Sequence, residues 1–336
     1  MTVLLSLLIL SLLILVHEWG HFLAAKKAGI QVYEFSIGMG PAIISRVRGE
    51  TKYSIRLLPI GGYVKMAGME PGDENNPKGF NKKSIFQRAA VVSAGSLMNF
   101  LLAVVLFVFV FTVIGIPSDS NVVGEVMPSS PAEEAGIKPG DKILAIEDKK
   151  INNWNDLVEI IHKNPEKRLH MVVQRENLKF TVSIVPYLDK ERNIGLIGIK
   201  QSVERQDLLN SIYLGINNAL NVIFMIILGF AKMIIGEIPA EVAGPVGIVT
   251  IIGDVARFGL ANILNFTAVL SLNLGLINLF SIPALDGSRL MFILIEWLRG
   301  KPIDPQKENF IHFIGFAILI LIMLIITYQD IVRIFG

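Results

Sequence analysis

Long apolar stretches divide the chain, and four of them have the length of a membrane-crossing helix. They run from Met1 to Ala25, from Ala89 to Ile116, from Leu264 to Leu285 and from Phe310 to Tyr328. A helix of about 20 apolar residues crosses the roughly 30 Å of hydrocarbon in a bilayer. The pattern therefore predicts an α-helical polytopic membrane protein, with transmembrane helices assigned to residues 1–25, 89–116, 263–287 and 310–330.

A fifth apolar stretch, Ile212 to Ile235, is interrupted by three asparagines and a lysine. A crossing here would reverse the direction of the next helix, and would separate the two halves of the metal site described below. We therefore predict a helix that lies on or partly in the outer leaflet. Residues 204–262 are assigned to this membrane-surface helix and its connector.

Residues 26–88, between the first two apolar stretches, change to short alternating runs. Val32–Ile37 and Lys52–Leu57 alternate apolar and polar positions and are bounded by glycines, which is typical of strands and hairpins. This region is predicted to be a β-hairpin region that is cytoplasmic or re-enters the membrane. Residues 68–84, rich in glycine, proline and asparagine, are predicted to form a mobile loop.

One strand of this region has an unusual composition. It comprises Gly61, Gly62, Tyr63 and Val64. Its glycines permit close backbone approach, so a free edge here could accept an extended peptide. A simple turn that leads to the next helix explains the same residues, and both interpretations stay open at this point.

Residues 117–203 are of a different kind, because charge is frequent and the apolar runs are short. Pro131 could open a short helix that Gly136 ends, and the run Pro139-Gly140-Asp141 could turn the chain into a strand. These features predict one α+β domain outside the membrane.

Composition agrees with this division. Hydrophobic residues make up 52% of the 336 positions and charged residues 18%, and the mean hydropathy is +0.56, which is typical of a membrane protein. No basic tract with interleaved aromatics is present, so a nucleic-acid partner is not expected. The chain has no cysteine, which leaves histidine and carboxylates as metal donors. Lysines and arginines between residues 26 and 88, and again in the loop 288–309, mark a cytoplasmic side.

The first apolar stretch contains His-Glu-Trp-Gly-His at residues 17–21. Residues four apart share one face of a helix, so His17 and His21 could bind one zinc ion, as in the H-E-x-x-H hydrolases. Glu18 points off that direction and could act as a general base on water. A chance match, or a pair of histidines that packs or caps a helix, would leave the burial of the glutamate unexplained.

Asp286 follows the third apolar stretch. Pro283 removes a helical donor and Gly287 allows a tight turn, so the helix is predicted to break and present this aspartate. A carboxylate at that depth needs a cation, and Zn²⁺ held by His17 and His21 would supply one. An interfacial aspartate that caps the next helix is the alternative.

The segment from Ser130 to Ile146 resembles the PDZ domains of bacterial proteases in circularly permuted order. The resemblance implies a groove between a strand and the helix near Asn155 to His162, which binds a peptide end by strand addition. The strand assigned to the groove comprises Val122, Val123, Gly124 and Glu125.

The motifs together resemble the site-2 protease family of intramembrane zinc metalloproteases, in its RseP-type bacterial branch with a single PDZ domain. They are HEWGH, the PDZ-like domain, GPVGI at 244–248 and NLFSIPALDG at 278–287. Ser281 and Ser288 depart from the family pattern, which commonly has proline and glycine there, so the local backbone geometry is open to question.

The resemblance implies roles for particular residues. His17, His21 and Asp286 would be the zinc ligands and Glu18 the catalytic acid and base. Asn278 would hold the substrate backbone or the oxyanion, and the strand over residues 61–64 would clamp an extended substrate.

Three functions compete at this point. The first is an endopeptidase of the bacterial cell membrane that cuts transmembrane segments of single-span proteins, such as anti-sigma factors and remnant signal peptides. Its site would lie near the cytoplasmic face and its PDZ domain outside the cell. The second is a non-catalytic PDZ receptor or quality-control scaffold, and the third is a metal transporter. An inactive relative is expected to lack Glu18 or a ligand, and all four residues are present.

Overall fold

The computed structural model describes residues 2–69, 72–73, 75–239 and 243–335. Long helices dominate this part of the chain. In chain order the α-helices are α1 (Thr2–Lys27), α2 (Ile85–Phe109), α3 (Pro131–Glu134), α4 (Trp154–His162), α5 (Leu208–Ile234), α6 (Pro245–Arg257), α7 (Leu260–Leu279), α8 (Asp286–Arg299) and α9 (Pro305–Phe335). A 3-10 turn at Phe80–Lys82 precedes α2, and a π-helical turn at Val110–Ile114 follows it.

The strands are short except for the first two. They are β1 (Val32–Arg48), β2 (Thr51–Met66), β3 (Ile116–Pro117), β4 (Val123–Val126), β5 (Lys142–Ile146), β6 (Lys149–Lys150), β7 (Leu169–Arg175), β8 (Leu178–Ile184), β9 (Tyr187–Asp189), β10 (Ile194–Leu196), β11 (Ile199–Gln201) and β12 (Val203–Glu204).

The chain forms two compact units. Met1–Phe109 and Ser211–Gly336 make one, which we call the helical unit, and Val110–Asn210 makes the other, the inserted unit. The domain predicted over residues 117–203 lies within the inserted unit.

Small residues allow α1, α2 and α7 to pack with their backbones close together. A Cβ on Gly20 of α1 would lie 2.3 Å from the Ala94 carbonyl oxygen of α2. A Cβ on Gly275 of α7 would lie 3.0 Å from the Ser96 carbonyl oxygen, also on α2. In hydrocarbon there is no hydrophobic driving force for apolar helices to associate. Close approach through glycines instead supplies the van der Waals contact that stabilises their packing.

The region between α1 and α2 forms a sheet whose two long strands each bend. Phe35 of β1 lies opposite both Tyr53 and Val64 of β2, and Arg46 of β1 also pairs with Tyr53. The resulting order is residues 42–48, 51–56, 32–37 and 62–66. The predicted strands are therefore present, but as continuous strands bent at positive-φ glycines such as Gly38. Residues 62–66 form an edge, with no further strand paired beyond them in the described part of the chain.

The segment after β2 is tied to the sheet. Tyr33 donates to both carboxylate oxygens of Asp73 at 3.0 Å, and the backbone N–H of Gly68 donates to Asp73 at 2.9 Å. Asn76 donates to the Tyr33 hydroxyl at 2.8 Å. The prediction of a mobile loop over residues 68–84 overlooked these anchors, because side-chain partners distant in sequence have no local signature.

By length and apolarity alone, five of the described helices could cross a membrane, and they are α1, α2 with its π-turn, α5, α7 and most of α9. The prediction had treated α5 as a surface helix. In the structure Gly215 of α5 approaches Val108 of α2, and Phe230 contacts Phe280 after the end of α7, with ring centroids 5.5 Å apart. These two contacts tie α5 to the helical unit, and its placement on the membrane surface stays a prediction. The count of four crossings stays a prediction.

The inserted unit has its own apolar core between a four-stranded antiparallel sheet, in the order β6-β5-β7-β8, and helix α4. Ile143, Met171 and Leu157 are fully buried in it. Asn153 caps α4 by accepting a hydrogen bond from the Asp156 N–H, which satisfies one of the donors that a helix start leaves unpaired.

Candidate metal centre and active-site cleft

Helix α1 places the two histidines of the HEWGH motif on one buried face. His17 and His21 are each 7% exposed, and their rings meet edge to face with centroids 4.7 Å apart. The four-residue spacing produces this pairing directly, because one helical turn brings such residues onto the same side.

The third residue of this cluster, Asp286, lies at a break between two helices. Helix α7 ends at Leu279 and α8 begins at Asp286, so the break lies at the predicted position around Pro283. The turn is tight, because a Cβ on Gly287 would lie 2.2 Å from the Phe280 carbonyl oxygen. Ser288, one of the departures from the family pattern, donates its hydroxyl to the Leu285 carbonyl at 2.7 Å and so supports the break.

Three side-chain atoms converge at one point. His17 Nε2 and His21 Nε2 are 3.1 Å apart, and Asp286 Oδ2 lies 3.0 Å from the first and 3.1 Å from the second. In the described residues this is the one such group of histidines and acidic residues close enough to share a metal. Tetrahedral zinc with ligands at about 2.0–2.1 Å keeps them roughly 3.3 Å apart, so a small expansion would admit the ion. Two imidazoles and one carboxylate also suit a catalytic zinc, because the fourth position stays open.

Each histidine has a partner for its other ring nitrogen. His21 Nδ1 lies 2.8 Å from the Val91 carbonyl oxygen, and His17 Nδ1 lies 3.3 Å from the side-chain amide of Asn99. The Asn99 Oδ1 atom has no hydrogen-bond partner among the described residues. Exchanging the amide oxygen and nitrogen, which look alike in most structures, would let Oδ1 accept the His17 Nδ1–H that metal ligation at Nε2 requires.

Gly95 of α2 lies directly against the convergence point. A Cβ there would lie 2.4 Å from His21 Nε2 and 2.7 Å from His17 Nε2. The sequence signalled only that small and polar residues cluster in this apolar helix. Asn99 was expected to hydrogen-bond to a neighbouring helix, with contact to the helix of the HEWGH motif as the alternative, but the sequence did not indicate that Gly95 leaves room beside the converging atoms.

Glu18 faces a cleft beside the three converging atoms. The cleft has a volume of about 220 Å³ and is lined by Ile14, His17, Glu18, Leu274, Asn278, Ala284, Leu285 and Asp286. The structure therefore brings the predicted Glu18 and Asn278 to the same cavity as His17 and Asp286.

The edge strand of the bent sheet lies next to Glu18. A Cβ on Gly62 would lie 3.6 Å from the Glu18 Cγ, and the Val64 backbone is close enough to influence the Glu18 carboxylate. Gly61 has a φ of +82°, which favours glycine at this bend. Gly62 and Val64 therefore lie beside Glu18, whereas the residues that line the cleft itself come from other segments.

Tyr63 turns its side chain to the sheet. Arg56 donates to the Tyr63 hydroxyl at 2.5 Å and to Glu34 at 2.7 Å. Since Arg56, Glu34 and Tyr63 stand on three neighbouring segments of the sheet, this network holds the edge strand in place.

The inserted unit has a cavity away from the strand to which its groove was assigned. A cavity of about 140 Å³ separates α4 from the segment Leu196–Ile199, and Met127 and Tyr187 also line it. The predicted strand does not line it. Val123 exchanges backbone hydrogen bonds with Gly140 and Asp141, and β4 pairs with β11 on its other side.

The assignment of the groove to Val122, Val123, Gly124 and Glu125 stays a prediction, and these contacts do not favour it. The backbone of β4 is paired on both sides and has no free edge to which a peptide could add. A Cβ on Gly124 would lie 2.2 Å from the Gln201 carbonyl oxygen, which shows how closely β11 covers this strand.

A buried His-His-Asp cluster beside a glutamate, within apolar helices, is the arrangement of a membrane metallohydrolase. Residues 5–322 match the family model described as Peptidase family M50. The chain is 34% identical to Zinc metalloprotease RasP of Oceanobacillus iheyensis and 33% identical to Regulator of sigma-W protease RasP of Bacillus subtilis, and in both cases 99% of each chain is covered. This chain belongs to peptidase family M50, and it is a zinc metalloprotease.

A solved structure also matches part of the chain. It is the PDZ domain of an SdrC-like protein from Listeria monocytogenes, with 17% sequence identity, 26% of this chain and 90% of that chain covered, and a TM-score of 0.23.

Proposed function

We propose that His17, His21 and Asp286 hold the zinc ion, and that the chain cleaves peptide bonds within transmembrane segments of single-span membrane proteins. The observation that carries this proposal is the convergence of three ligand atoms within 3.1 Å of one another, on helices apolar enough to cross a membrane. Asp286 is 265 residues from His21 and 269 from His17 along the chain, so its meeting with the two histidines is a property of the fold.

The bound zinc would polarise the carbonyl of the scissile bond and make water more acidic. Glu18 would take the proton of the attacking water on its carboxylate and pass it to the nitrogen of the leaving amine. Its place in the cleft beside His17 supports this role. Asn278, in the same cleft, would donate its amide N–H groups to the substrate backbone or to the developing oxyanion.

A transmembrane substrate hides its amides in helical hydrogen bonds, so it must unwind before it is cut. The segment from Gly61 to Val64 would take the unwound substrate as an added strand, because it is a sheet edge beside Glu18. The Arg56 network would keep that edge from moving when the substrate pairs with it.

The inserted unit would act as a PDZ domain outside the cell and bind a peptide end in the cavity between α4 and Leu196–Ile199. The metal centre would lie in the bacterial cell membrane, nearer the cytoplasmic face. One relative is named as a regulator of sigma-W. That name supports anti-sigma factors as substrates, with remnant signal peptides as a second group.

The test uses full-length protein purified in detergent or reconstituted in vesicles. We expect about one zinc per chain and cleavage of a single-span substrate within its apolar segment. Glu18→Gln is expected to keep the zinc and to lose about 10²- to 10⁴-fold in cleavage rate, because the amide has the same size but cannot act as a base.

Asp286→Asn separates the ligand role from a capping role. Loss of a ligand is expected to weaken zinc binding by about 10-fold or more. Unchanged zinc affinity in Asp286→Asn would remove Asp286 from the ligand set, and normal turnover by Glu18→Gln would remove Glu18 from the chemistry.

A further inference from the structure

The last helix contacts the loop that presents Asp286. His312 of α9 accepts a hydrogen bond at its Nδ1 from the backbone N–H of Ala284, over 3.1 Å. One turn further along α9, a Cβ on Gly315 would lie 2.3 Å from the Pro283 Cβ and 2.6 Å from its carbonyl oxygen. Two successive residues of the helix break are therefore in contact with α9.

Ala284 needs this support because its backbone is strained. Its φ is +79°, a left-handed conformation that alanine, unlike glycine, adopts only at an energetic cost. A strained residue persists only where its surroundings hold it. The hydrogen bond to His312 fixes the amide of this residue, and Asp286 follows two positions later.

The His312 imidazole also contacts the helix that begins at Asp286. Its ring meets Phe292 of α8 edge to face, with centroids 5.8 Å apart. Asp286 is the first residue of α8, so His312 contacts the chain before the ligand and the helix after it. The His312 side chain is 14% exposed, and its Nε2 has no hydrogen-bond partner among the described residues.

The burial of His312 distinguishes it from most residues of α9. Most of α9 is exposed in the structure, as expected for a helix that faces lipid, and its neighbour Phe313 is 69% exposed. A helix that only anchored the chain would need an apolar residue at position 312. A histidine that is buried and accepts a hydrogen bond from a strained backbone amide is suited to hold that amide in place.

We propose that His312 is a positioning residue for the third zinc ligand: its Nδ1 holds Ala284 in the left-handed conformation that directs Asp286 toward His17 and His21. The proposal rests on the function proposed above, since it takes Asp286 as a ligand. His312 itself touches neither the ligand atoms nor the cleft, so its effect passes through the backbone of the loop.

The chain offers a sharp test through two amide side chains. The Oδ1 of asparagine stands at the same number of bonds from the backbone as Nδ1 of histidine, and can accept the Ala284 N–H. Glutamine places its amide one bond further out, at the level of Nε2. His312→Asn should therefore retain the contact, whereas His312→Gln and His312→Ala should lose it. Phe313→Ala is the control for a change on the same helix that does not touch the loop.

The readouts are zinc affinity, measured by competition with a chromogenic chelator, and the visible spectrum of the cobalt-substituted protein, which reports ligand geometry. We expect His312→Ala and His312→Gln to weaken zinc binding by about 10-fold, as the loss of other supporting hydrogen bonds does. The cobalt spectrum should change in both, while His312→Asn and Phe313→Ala should match the wild type in affinity and spectrum.

Equal zinc affinity and equal spectra for the asparagine and glutamine variants would overturn the proposal, even if the alanine variant failed to fold. Failure of the proposed function would look different, because the wild-type protein would then bind no zinc at its His17 and His21 site. Peptide cleavage should follow the zinc affinity at limiting zinc and recover in excess zinc, which a general loss of folded protein would not do.

Discussion

Both units of this protein bury polar side chains, but they use them in opposite ways. In the inserted unit, Asp141 is buried and accepts hydrogen bonds from Arg175 and from the Lys138 backbone at 2.7–2.9 Å. Asn121 donates to two backbone carbonyls, those of Ile143 and Ile151. Each of these groups completes a turn or a strand end within the fold.

In the helical unit the buried polar groups point at one another. Two imidazoles and a carboxylate crowd a single point, and Asn99 keeps an oxygen without a partner among the described residues. The edge strand over residues 62–66 likewise has no further strand beside it, whereas β4 of the inserted unit is paired on both sides. Buried polar groups that are paired within the fold are structural, whereas the convergence of His17, His21 and Asp286 on one point fits a bound ion.

The largest effect is expected when a side chain fills the space beside the three converging ligand atoms. Gly95→Ala adds a carbon 2.4 Å from His21 Nε2. Alanine is the better helix former, so the helix itself should not suffer. We expect zinc affinity to fall beyond the 10- to 100-fold that loss of a supporting hydrogen bond costs.

Gly229→Ala in α5 is the matched control, because nothing lies within 4 Å of the added carbon. Chelator competition on both variants decides the point. Zinc binding by Gly95→Ala at wild-type strength would show that the ligand atoms do not depend on this gap.

The next largest effect is expected at the open strand edge, on peptide cleavage. Proline at Val64 removes a backbone amide from this edge, whereas alanine keeps it. One or two lost backbone hydrogen bonds, at about 0.5–1.5 kcal/mol each, should lower kcat/KM by roughly 3- to 100-fold. The measurement compares Val64→Pro with Val64→Ala on a single-span substrate, with zinc content determined in both. Equal kcat/KM values would mean that the substrate is held elsewhere.

A substitution at Asn99 tests whether its unpaired side-chain oxygen supports His17 in metal binding. Asn99→Leu keeps the number and branching of the heavy atoms but removes the acceptor, and we expect zinc affinity to fall by about 10-fold. Ser96→Ala is the control in the same helix, since the buried Ser96 hydroxyl also lacks a hydrogen-bond partner among the described residues. If both variants bound zinc alike, the contact between Asn99 and His17 would have no role in metal binding.

The inserted unit is expected to give the smallest effect on the metal centre, because a change there should alter stability alone. Burial opposes the Asp141 carboxylate, but its hydrogen bonds with Arg175 outweigh this and lower its pKa. A lowered pKa in the folded state stabilises the fold above the unfolded value of about 3.9, and this contribution is lost as the pH falls through the folded value. Asp141→Asn should therefore lower the free energy of unfolding by about 1–3 kcal/mol at neutral pH, and less at pH 3.

Hydrogen exchange in β5 and β7 of the full-length chain, corrected for the intrinsic rate at each pH, measures this change. Zinc affinity should stay at the wild-type value. Asp148→Asn, at an exposed position of the same unit, should change neither quantity. A loss of zinc from Asp141→Asn would erase the distinction between the two units.

The sequence predicted the parts of this protein that depend on local order. HEWGH placed two ligands on one face because the helical repeat is local, and the proline and glycine around Asp286 predicted the break because they act on their own backbone. Length and apolarity likewise predicted α1, α2, α7 and α9 as membrane helices.

The tertiary structure decided what depends on contacts between distant residues. The contacts of α5 with Val108 and Phe280, the pairing of β4 on both sides and the cavity beside Leu196–Ile199 follow from packing, which the hydrophobic pattern does not specify. The same holds for the gap at Gly95 and the hold of His312 on Ala284. A glycine or a histidine in an apolar helix has the same local signature whether it faces lipid or a metal site, and only the neighbours that the fold brings to it decide its role.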